Sequence, residues 1–242
     1  MKNLLAALLW LPASLLAAGS GYPLDHAPIE PRDLVSLQSG ARTFVNYCLN
    51  CHSAQYMRYN RLSDLGLTEP QIRDNLMFAA DKVGETMKVA MTAKDGKAWF
   101  GVPPPDLSVI ARSRGADWLY TYLRAFYRDD QTASGWNNAV FPNVAMPHAL
   151  WKLQGERDYE VVAHTDKAGH VGIERNWKQL TPGTQGAIEY DRTVRDLVNF
   201  LVYVGEPAAQ SRKAIGIVVL FVLGVLYVFA YAMKKAFWKD VR

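Results

Sequence analysis

The pentapeptide Cys48-Leu49-Asn50-Cys51-His52 decides the kind of fold that this chain forms. Two thiols three residues apart, followed at once by an imidazole, are the attachment pattern of a c-type haem. The thiols bond to the porphyrin, and the histidine becomes the proximal iron ligand. A closed zinc site needs four ligands and the chain has only 2 cysteines, while a redox-active thiol pair leaves the histidine unexplained. We therefore predict one covalently attached haem c, bound by Cys48, Cys51 and His52.

The first residues have the composition of a secretory signal peptide. A positive charge at Lys2 precedes an apolar run over 4–16, and small residues follow at 17–20. This run is short for a membrane span, and small residues are typical of a cleavage site. We predict a signal peptide at residues 1–20 that is cleaved among its last four residues.

The other end of the chain carries a candidate membrane anchor. Residues 214–233 form an apolar run without a charge, about the length that a helix needs to cross the hydrocarbon layer. More lysine and arginine follow the run than precede it, which predicts a cytoplasmic C-terminus. Together with the signal peptide, this predicts a single-pass protein of the inner membrane whose haem domain lies in the periplasm.

The positive charge of the chain belongs to its two ends. The formal net charge is +4, of which Lys2 contributes +1 and residues 212–242 contribute +5, so that the segment between them carries −2. A basic tail beside a membrane span is explained by membrane topology. The domain itself has no basic stripe, which argues against nucleic acid as a partner.

Apolar residues at three- and four-residue spacing predict a helix over Asp33–Tyr47 that runs directly into the haem motif. A second helix is predicted over Asp191–Val204, and we expect the two to cross at Gly40, where a glycine lets backbones approach. Two further helices are predicted over Thr68–Phe78 and Ala116–Tyr127. A small hairpin is predicted over Tyr159–Trp177, with a turn at Lys167-Ala168-Gly169.

The sequence thus predicts a mainly α fold: a single c-type cytochrome domain with a small β-hairpin insertion, plus one C-terminal transmembrane helix. The predicted ranges are 1–20 for the signal peptide, 21–211 for the periplasmic cytochrome domain, 212–233 for the transmembrane helix and 234–242 for the cytoplasmic basic tail.

A haem electron carrier needs a second axial ligand, and a thioether sulfur raises the reduction potential of the iron. Met146 lies in the loop FPNVAMPH at 141–148, whose two prolines stiffen the backbone. The other methionines lie at the ends of the chain, near the attachment turn or in helical patterns. We favour Met146, and three imidazoles remain alternatives that would give a lower potential: His148, His164 and His170.

The haem propionates need charge-assisted donors at the edge of their pocket. Arg112 and Arg114 both follow the stiff segment Pro103–Ser108. Spacing alone does not choose between them or exclude ordinary surface arginines.

Four stretches carry a resemblance to a known family. They are CLNCHSAQYMRYNR at 48–61, PPPDLSVIARSRG at 103–115, FPNVAMPHALW at 141–151 and DLVNFLVYVGEPA at 196–208. With these motifs the chain resembles the cytochrome c1 family in its proteobacterial form, the haem-bearing subunits of the quinol:cytochrome c oxidoreductase, or cytochrome bc1 complex. The resemblance covers nearly the whole chain.

The resemblance implies a role for individual residues. Cys48 and Cys51 would bind the haem, and His52 and Met146 would be the axial ligands of its iron. Arg114 and Tyr127 would bind the haem propionates.

The resemblance also implies a function and partners. The chain would pass single electrons from a Rieske iron–sulfur subunit to a soluble c-type cytochrome, beside cytochrome b, in a dimeric membrane complex and without a catalytic site of its own. Two other classes stay open: a free-standing membrane-tethered shuttle, and a haem enzyme with an open distal site.

Overall fold

The computed structural model describes residues 22–165 and 171–240, so the predicted signal peptide lies outside the described residues. In chain order the elements are α1 (Leu34–Thr43), a π-helical turn (Phe44–Cys48), β1 (Ala54–Arg58), a 3₁₀ helix (Tyr59–Leu65), α2 (Glu69–Leu76), β2 (Thr86–Met87), α3 (Ala93–Phe100), α4 (Ile110–Arg114), α5 (Ala116–Arg124), β3 (Phe126–Arg128), β4 (Trp136–Asn138), α6 (Trp151–Gln154), β5 (Gly155–Thr165), β6 (Val171–Pro182), α7 (Ala187–Gly205) and α8 (Ala209–Phe237). The predicted mainly α class with one hairpin and a C-terminal apolar helix is confirmed.

The centre of the domain is the crossing of α1 and α7, which the sequence placed at Gly40. A Cβ built on Gly40 would lie 2.0 Å from the carbonyl oxygen of Asp196 and 2.7 Å from Cβ of Phe200. Any side chain here would therefore push the two backbones apart. Phe44, one turn further along, packs against Phe200 with ring centroids 5.6 Å apart. The crossing fixes the direction in which the chain enters the haem motif.

Polar side chains fix the register of these two helices within the core. Ser36 Oγ donates to Asp196 Oδ1 at 2.7 Å, and Asn199 Nδ2 donates to Ser36 Oγ at 3.0 Å. The guanidinium of Arg195 donates to the same Asp196 oxygen at 2.7 Å, so the buried carboxylate is neutralised. Because an unpaired buried charge is costly, this network penalises any sliding of α1 along α7.

Two of the shorter helices bear on the sequence predictions. Helix α2 opens with a capping box at the predicted start, since Gln71 N donates to Thr68 Oγ1 and Thr68 N donates to Gln71 Oε1. Helix α5 begins at the predicted Ala116, but it ends at Arg124. The prediction that it continues to Tyr127 is wrong, because Phe126–Arg128 pairs with Trp136–Asn138 as an antiparallel strand.

The predicted hairpin is present and is longer than predicted. Strands β5 and β6 have 11 and 12 residues and pair from Gly155 with Pro182 to Thr165 with Val171, and the predicted turn lies outside the described residues. The base of the hairpin is polar, with segments such as Glu156–Asp158, and therefore lacks the apolar alternation that marks a strand in sequence. Its length was decided by cross-strand pairing.

Helix α8 contains the predicted anchor. Within the stretch Ser211–Phe237, the most apolar window of 18 residues has a mean hydropathy of 2.6, and none of that window is buried in the chain. A core helix of a water-soluble domain would bury such a surface, whereas a helix exposed to lipid would not. Glu206, between α7 and α8, accepts from Arg212 at 2.6 Å and from Arg112 at 3.2 Å.

Candidate haem site

A mostly apolar cavity of about 320 Å³ lies between the helical core and two loops. It brings together four residues that the sequence singled out separately, namely Cys48, Cys51, His52 and Met146. Arg114 lines the same cavity. The remaining lining is largely aromatic, aliphatic or proline: Tyr47, Phe100, Val102, Pro103, Pro104, Pro105, Leu107, Ile110, Trp118, Leu119, Tyr122, Leu123, Phe141, Val144, Ala145, Pro147, Ala149, Leu197 and Leu201.

Residues 47–52, which we call the attachment segment, form a tight turn at the end of the π-helical turn that continues α1. The amides of Cys51 and His52 both donate to the carbonyl oxygen of Cys48, at 3.0 and 2.9 Å. Burial raises the pKa of the Cys48 thiol to about 12 and also raises that of Cys51. A redox-active thiol pair needs a lowered pKa, so this environment does not favour that alternative.

His52 is held by one nitrogen. Its Nδ1 lies 2.7 Å from the carbonyl oxygen of Pro105, and because a carbonyl can only accept, Nδ1 carries the proton. Nε2 then keeps its lone pair. Burial lowers the pKa of His52, against smaller raising effects of the Pro105 hydrogen bond and of Asp106. A neutral imidazole with a second-shell bond on Nδ1 is the form that binds a metal ion through Nε2.

The proline segment that supplies this carbonyl is attached to the chain just after the haem motif. Leu107 N donates to Ser53 O at 2.8 Å, and Gln55 N donates to Asp106 Oδ2 at 2.9 Å. These hydrogen bonds and the rigid prolines of the PPPDLS sequence together hold the Pro105 carbonyl oxygen against His52.

Residues 141–148, which we call the methionine loop, are held by two buried asparagines that the sequence analysis did not identify. Asn138 donates to the carbonyl of Tyr122 at 2.8 Å and accepts from the amides of Val140 and Phe141. Asn137 Oδ1 accepts from Asn143 N at 2.8 Å. The only sequence signal is an asparagine pair ahead of the loop, and such pairs are common in turns.

Met146 is half-buried and is the one methionine among the described residues that line the cavity. Met57, Met77 and Met87 are buried in the core away from it. The structure therefore brings the favoured sulfur to the cavity that also holds His52.

The rival imidazoles lie elsewhere. His148 is 2% exposed, does not line the cavity, and its Nε2 lies 2.7 Å from Gln154 Oε1. Its ring stacks on Phe126, with centroids 4.8 Å apart and 5° between the planes, and burial lowers its pKa to about 3. His164 is exposed on β5, and His170 lies outside the described residues.

The two candidate arginines are separated by the structure. The Arg114 guanidinium lies over the rings of Trp118 and Phe141, 5.1 and 5.9 Å from their centroids, at the cavity. Arg112 points instead to Glu206, and its side chain covers Gly205. Within residues 22–165 and 171–240, Arg114 forms no ion pair with a carboxylate.

Tyr127 is not brought to the cavity by the described structure. Its ring packs against Tyr159 and Trp177 of the hairpin, at centroid distances of 5.2 and 6.4 Å, and it is absent from the described lining residues. Burial, followed by Asp129 and Tyr159, raises the pKa of its hydroxyl.

A larger cavity of about 540 Å³ lies beside the start of α7, and its chemistry is different. Arg124 in its wall binds Asp25 at 2.7 Å and Asp191 at 2.6 Å. Its described lining contains no cysteine, methionine or histidine. Across the described part of the chain, no group of three or more His, Cys, Asp or Glu side chains is arranged to hold a metal ion.

Comparison with known proteins decides the family. The sequence matches the Cytochrome C1 family over residues 25–169 and 180–241. The chain belongs to the cytochrome c1 family. It is 48% identical to cytochrome c1 of Allochromatium vinosum over 244 residues, which cover 100% of both chains. It is 27% identical to cytochrome c1 of Rhodospirillum rubrum, over 87% of this chain and 83% of that one.

A protein named ammonia monooxygenase gamma subunit, from Nitrosomonas europaea, is equally similar. It is 48% identical over 241 residues, covering 100% of this chain and 98% of that protein. Cytochrome c1 proteins are the haem subunits of the bc1 complex, they carry a covalently bound haem c, and they are anchored in a membrane. Family membership therefore makes this chain an electron-transfer protein that works with cytochrome b and Rieske subunits, and it favours a subunit over a free-standing shuttle.

The cavity fits the group that the family requires. Two thiols on one turn match the two covalent bonds, and apolar walls that include Trp118 and Phe141 suit a flat macrocycle. The nitrogen of His52 and the sulfur of Met146 are the donor pair of cytochromes with a raised potential. The lining thus contains both the covalent and the coordinating groups that haem c needs.

Proposed function

We propose that this chain holds its haem c in the cavity through Cys48, Cys51, His52 and Met146, and that it relays single electrons from the Rieske subunit to a soluble c-type cytochrome. One observation carries the assignment: a single cavity collects both thiols, an imidazole whose proton is fixed on Nδ1, and one thioether. When bound, haem c supplies one-electron redox chemistry at its iron.

The residues of the chain each have a distinct task in this proposal. Cys48 and Cys51 retain the group permanently, which prevents loss of the cofactor during turnover. His52 would hold the iron through Nε2, because Pro105 holds the proton on Nδ1. Met146 would supply the second ligand of the iron, because His148 is bound to Gln154 and lies outside the cavity lining.

We assign the propionates to Arg114 rather than to Arg112. Arg114 lies at the cavity and has its guanidinium free of a carboxylate partner among the described residues, whereas Arg112 is engaged by Glu206. The ring of Tyr127 packs against the hairpin and Tyr127 does not line the cavity, so no described contact supports a propionate role for it.

The orientation in the membrane follows from charge. Lys234, Lys235 and Lys239 follow the span, so we place the C-terminus in the cytoplasm and the haem domain in the periplasm of the inner membrane. We also propose that the complex is dimeric, which rests on the family alone. A cysteine introduced at Lys239 should react with a membrane-impermeant maleimide only after lysis. A cysteine at the exposed Lys94 is the matched control, and it should react in spheroplasts before lysis.

The decisive experiment is a redox-titrated optical spectrum of the purified membrane complex. We expect a low-spin c-type haem that titrates as one electron and is reduced by ascorbate, together with haem b and a Rieske signal. A lone monomer without those companions would indicate a tethered shuttle. Rapid binding of carbon monoxide by the reduced haem c would indicate an open distal site and thus a haem enzyme.

A further inference from the structure

The sulfur of Met146 has a hydrogen-bond donor in the wall of the cavity. Tyr122 Oη lies 3.4 Å from Met146 Sδ, and because a thioether can only accept, the hydroxyl donates. Within the part of the chain that the structure describes, the sulfur is the sole hydrogen-bond partner of this hydroxyl. The contact joins helix α5 to the methionine loop.

The position of the hydroxyl is set by packing and does not depend on the sulfur. The Tyr122 ring stacks on Trp118, with centroids 4.7 Å apart and 11° between planes, and meets the edge of Phe126 at 5.1 Å. The Tyr122 carbonyl is held by Asn138 at 2.8 Å. The donor is therefore preorganised, and the loop that carries Met146 is tied to the same residue.

Stability gives no reason for a hydroxyl at this position. Tyr122 is 8% exposed and faces an apolar cavity, where burial of a phenol is costly unless it forms a good hydrogen bond. Sulfur is a weak acceptor, so the bond to Met146 returns little of that cost. Phenylalanine would keep both ring contacts without the cost, which points to an effect of the hydroxyl on the sulfur itself.

A thioether sulfur has two lone pairs, so it can bind iron with one and accept a hydrogen bond with the other. The hydrogen bond withdraws electron density from the sulfur and weakens its donation, which iron(III) needs more than iron(II). Hydrogen bonding around the ligands is one of the levers by which proteins set haem potentials. The donor would thus favour the reduced state.

We propose that Tyr122 is a positioning residue that raises the reduction potential of the haem by donating a hydrogen bond to the sulfur of Met146. This inference rests on the proposed ligation by Met146. It concerns the tuning of that ligand by a residue that forms neither a covalent nor a coordinate bond to the cofactor.

The test is an equilibrium redox titration of the membrane complex with Tyr122→Phe. Removing the hydroxyl should shift the equilibrium with a one-electron mediator about three- to tenfold toward oxidation, a fall of about 30 to 60 mV at about 59 mV per tenfold change. The sulfur-to-iron charge-transfer band should persist, because the ligand stays. Tyr120→Phe is the matched control: it removes a hydroxyl from the same helix outside the described cavity lining, and its potential should equal that of the parent.

Each outcome decides the matter. If the charge-transfer band is absent from the parent protein, the proposed ligation fails before Tyr122 is tested. If the band is present and Tyr122→Phe has the same reduction potential as the parent, the tuning proposal is overturned. Loss of the band in Tyr122→Phe alone would overturn it as well. Should that variant fail to assemble, Tyr122→Leu must show a lowered potential with the band retained.

Discussion

The attachment segment and the methionine loop contribute to the same cavity, but they are built in opposite ways. The attachment segment is a continuous turn whose amides bond to the carbonyl of Cys48 within the segment, and one contact from Pro105 completes it. The methionine loop is held by side chains outside it, with Asn137 and Asn138 binding its amides and Tyr122 binding its sulfur.

Two histidines show what this difference teaches. His52 and His148 are both buried, and burial lowers the pKa of both. His52 forms its hydrogen bond through Nδ1, which leaves Nε2 available to a metal ion. The Nε2 of His148 is hydrogen-bonded to Gln154, and the His148 ring stacks on Phe126. Burial and residue type are therefore not enough to identify a metal ligand. What identifies it is which ring nitrogen is left free and where that nitrogen lies.

The largest effect is expected from His52→Ala. This change removes the nitrogen that Pro105 orients, so the complex should lack a low-spin c-type haem and its quinol-to-cytochrome c electron transfer should fall to background. The measurement is the reduced-minus-oxidised spectrum together with turnover. His164→Ala, on the exposed face of β5, should retain both, and a normal spectrum in His52→Ala would remove this residue from the site.

Met146→Ala should leave the haem attached but lower its potential so far that ascorbate no longer reduces it. Axial ligands move haem potentials within a range of about 0.8 V, and loss of thioether sulfur takes the potential downward. The measurement is reduction by ascorbate followed optically. His148→Leu is the control and should remain reducible; unchanged reducibility in Met146→Ala would mean that another residue ligates.

Asn138→Ala should disturb the methionine loop through its support. The change leaves the carbonyl of Tyr122 and the amides of Val140 and Phe141 without their partner, which lowers the free energy of unfolding by about 2–3 kcal/mol. The charge-transfer band should weaken as the sulfur is held less firmly. The matched change in the attachment segment is Asn50→Ala, at an exposed side chain, and thermal unfolding followed at the haem should show an effect of about 0.5 kcal/mol or less.

The smallest effect is expected from Arg114→Gln. Loss of a positive charge beside the propionates favours the oxidised haem, so the potential should fall by about 30 mV or less, a change of up to about threefold, because Arg114 is exposed and screened. The difference should shrink at high salt. Arg112→Gln should leave the potential unchanged, and equal shifts for both arginines would contradict the assignment.

The regular parts of the fold were predictable because they depend on short-range pattern. Helical periodicity placed α1 and α7, and Gly40 marked their crossing through the absence of a side chain. The same logic missed the end of α5, because the pairing of Phe126–Arg128 with β4 overrides local helix preference. The sequence pattern also underestimated the length of the hairpin, because the polar base of the hairpin lacks the alternation of apolar and polar residues that marks a strand.

The sequence by itself determined the covalent chemistry and the family, because two thiols and an imidazole in five residues meet the demands of one cofactor without help from distant parts of the chain. It also determined the anchor, since apolar length is a local property. Only the tertiary structure decided which nitrogen of His52 is free, which sulfur reaches the cavity, and that Tyr122 donates to it. These are matters of direction, and direction at a site is fixed by contacts such as Asn138 with Tyr122 and His52 with Pro105, which join residues far apart in the chain.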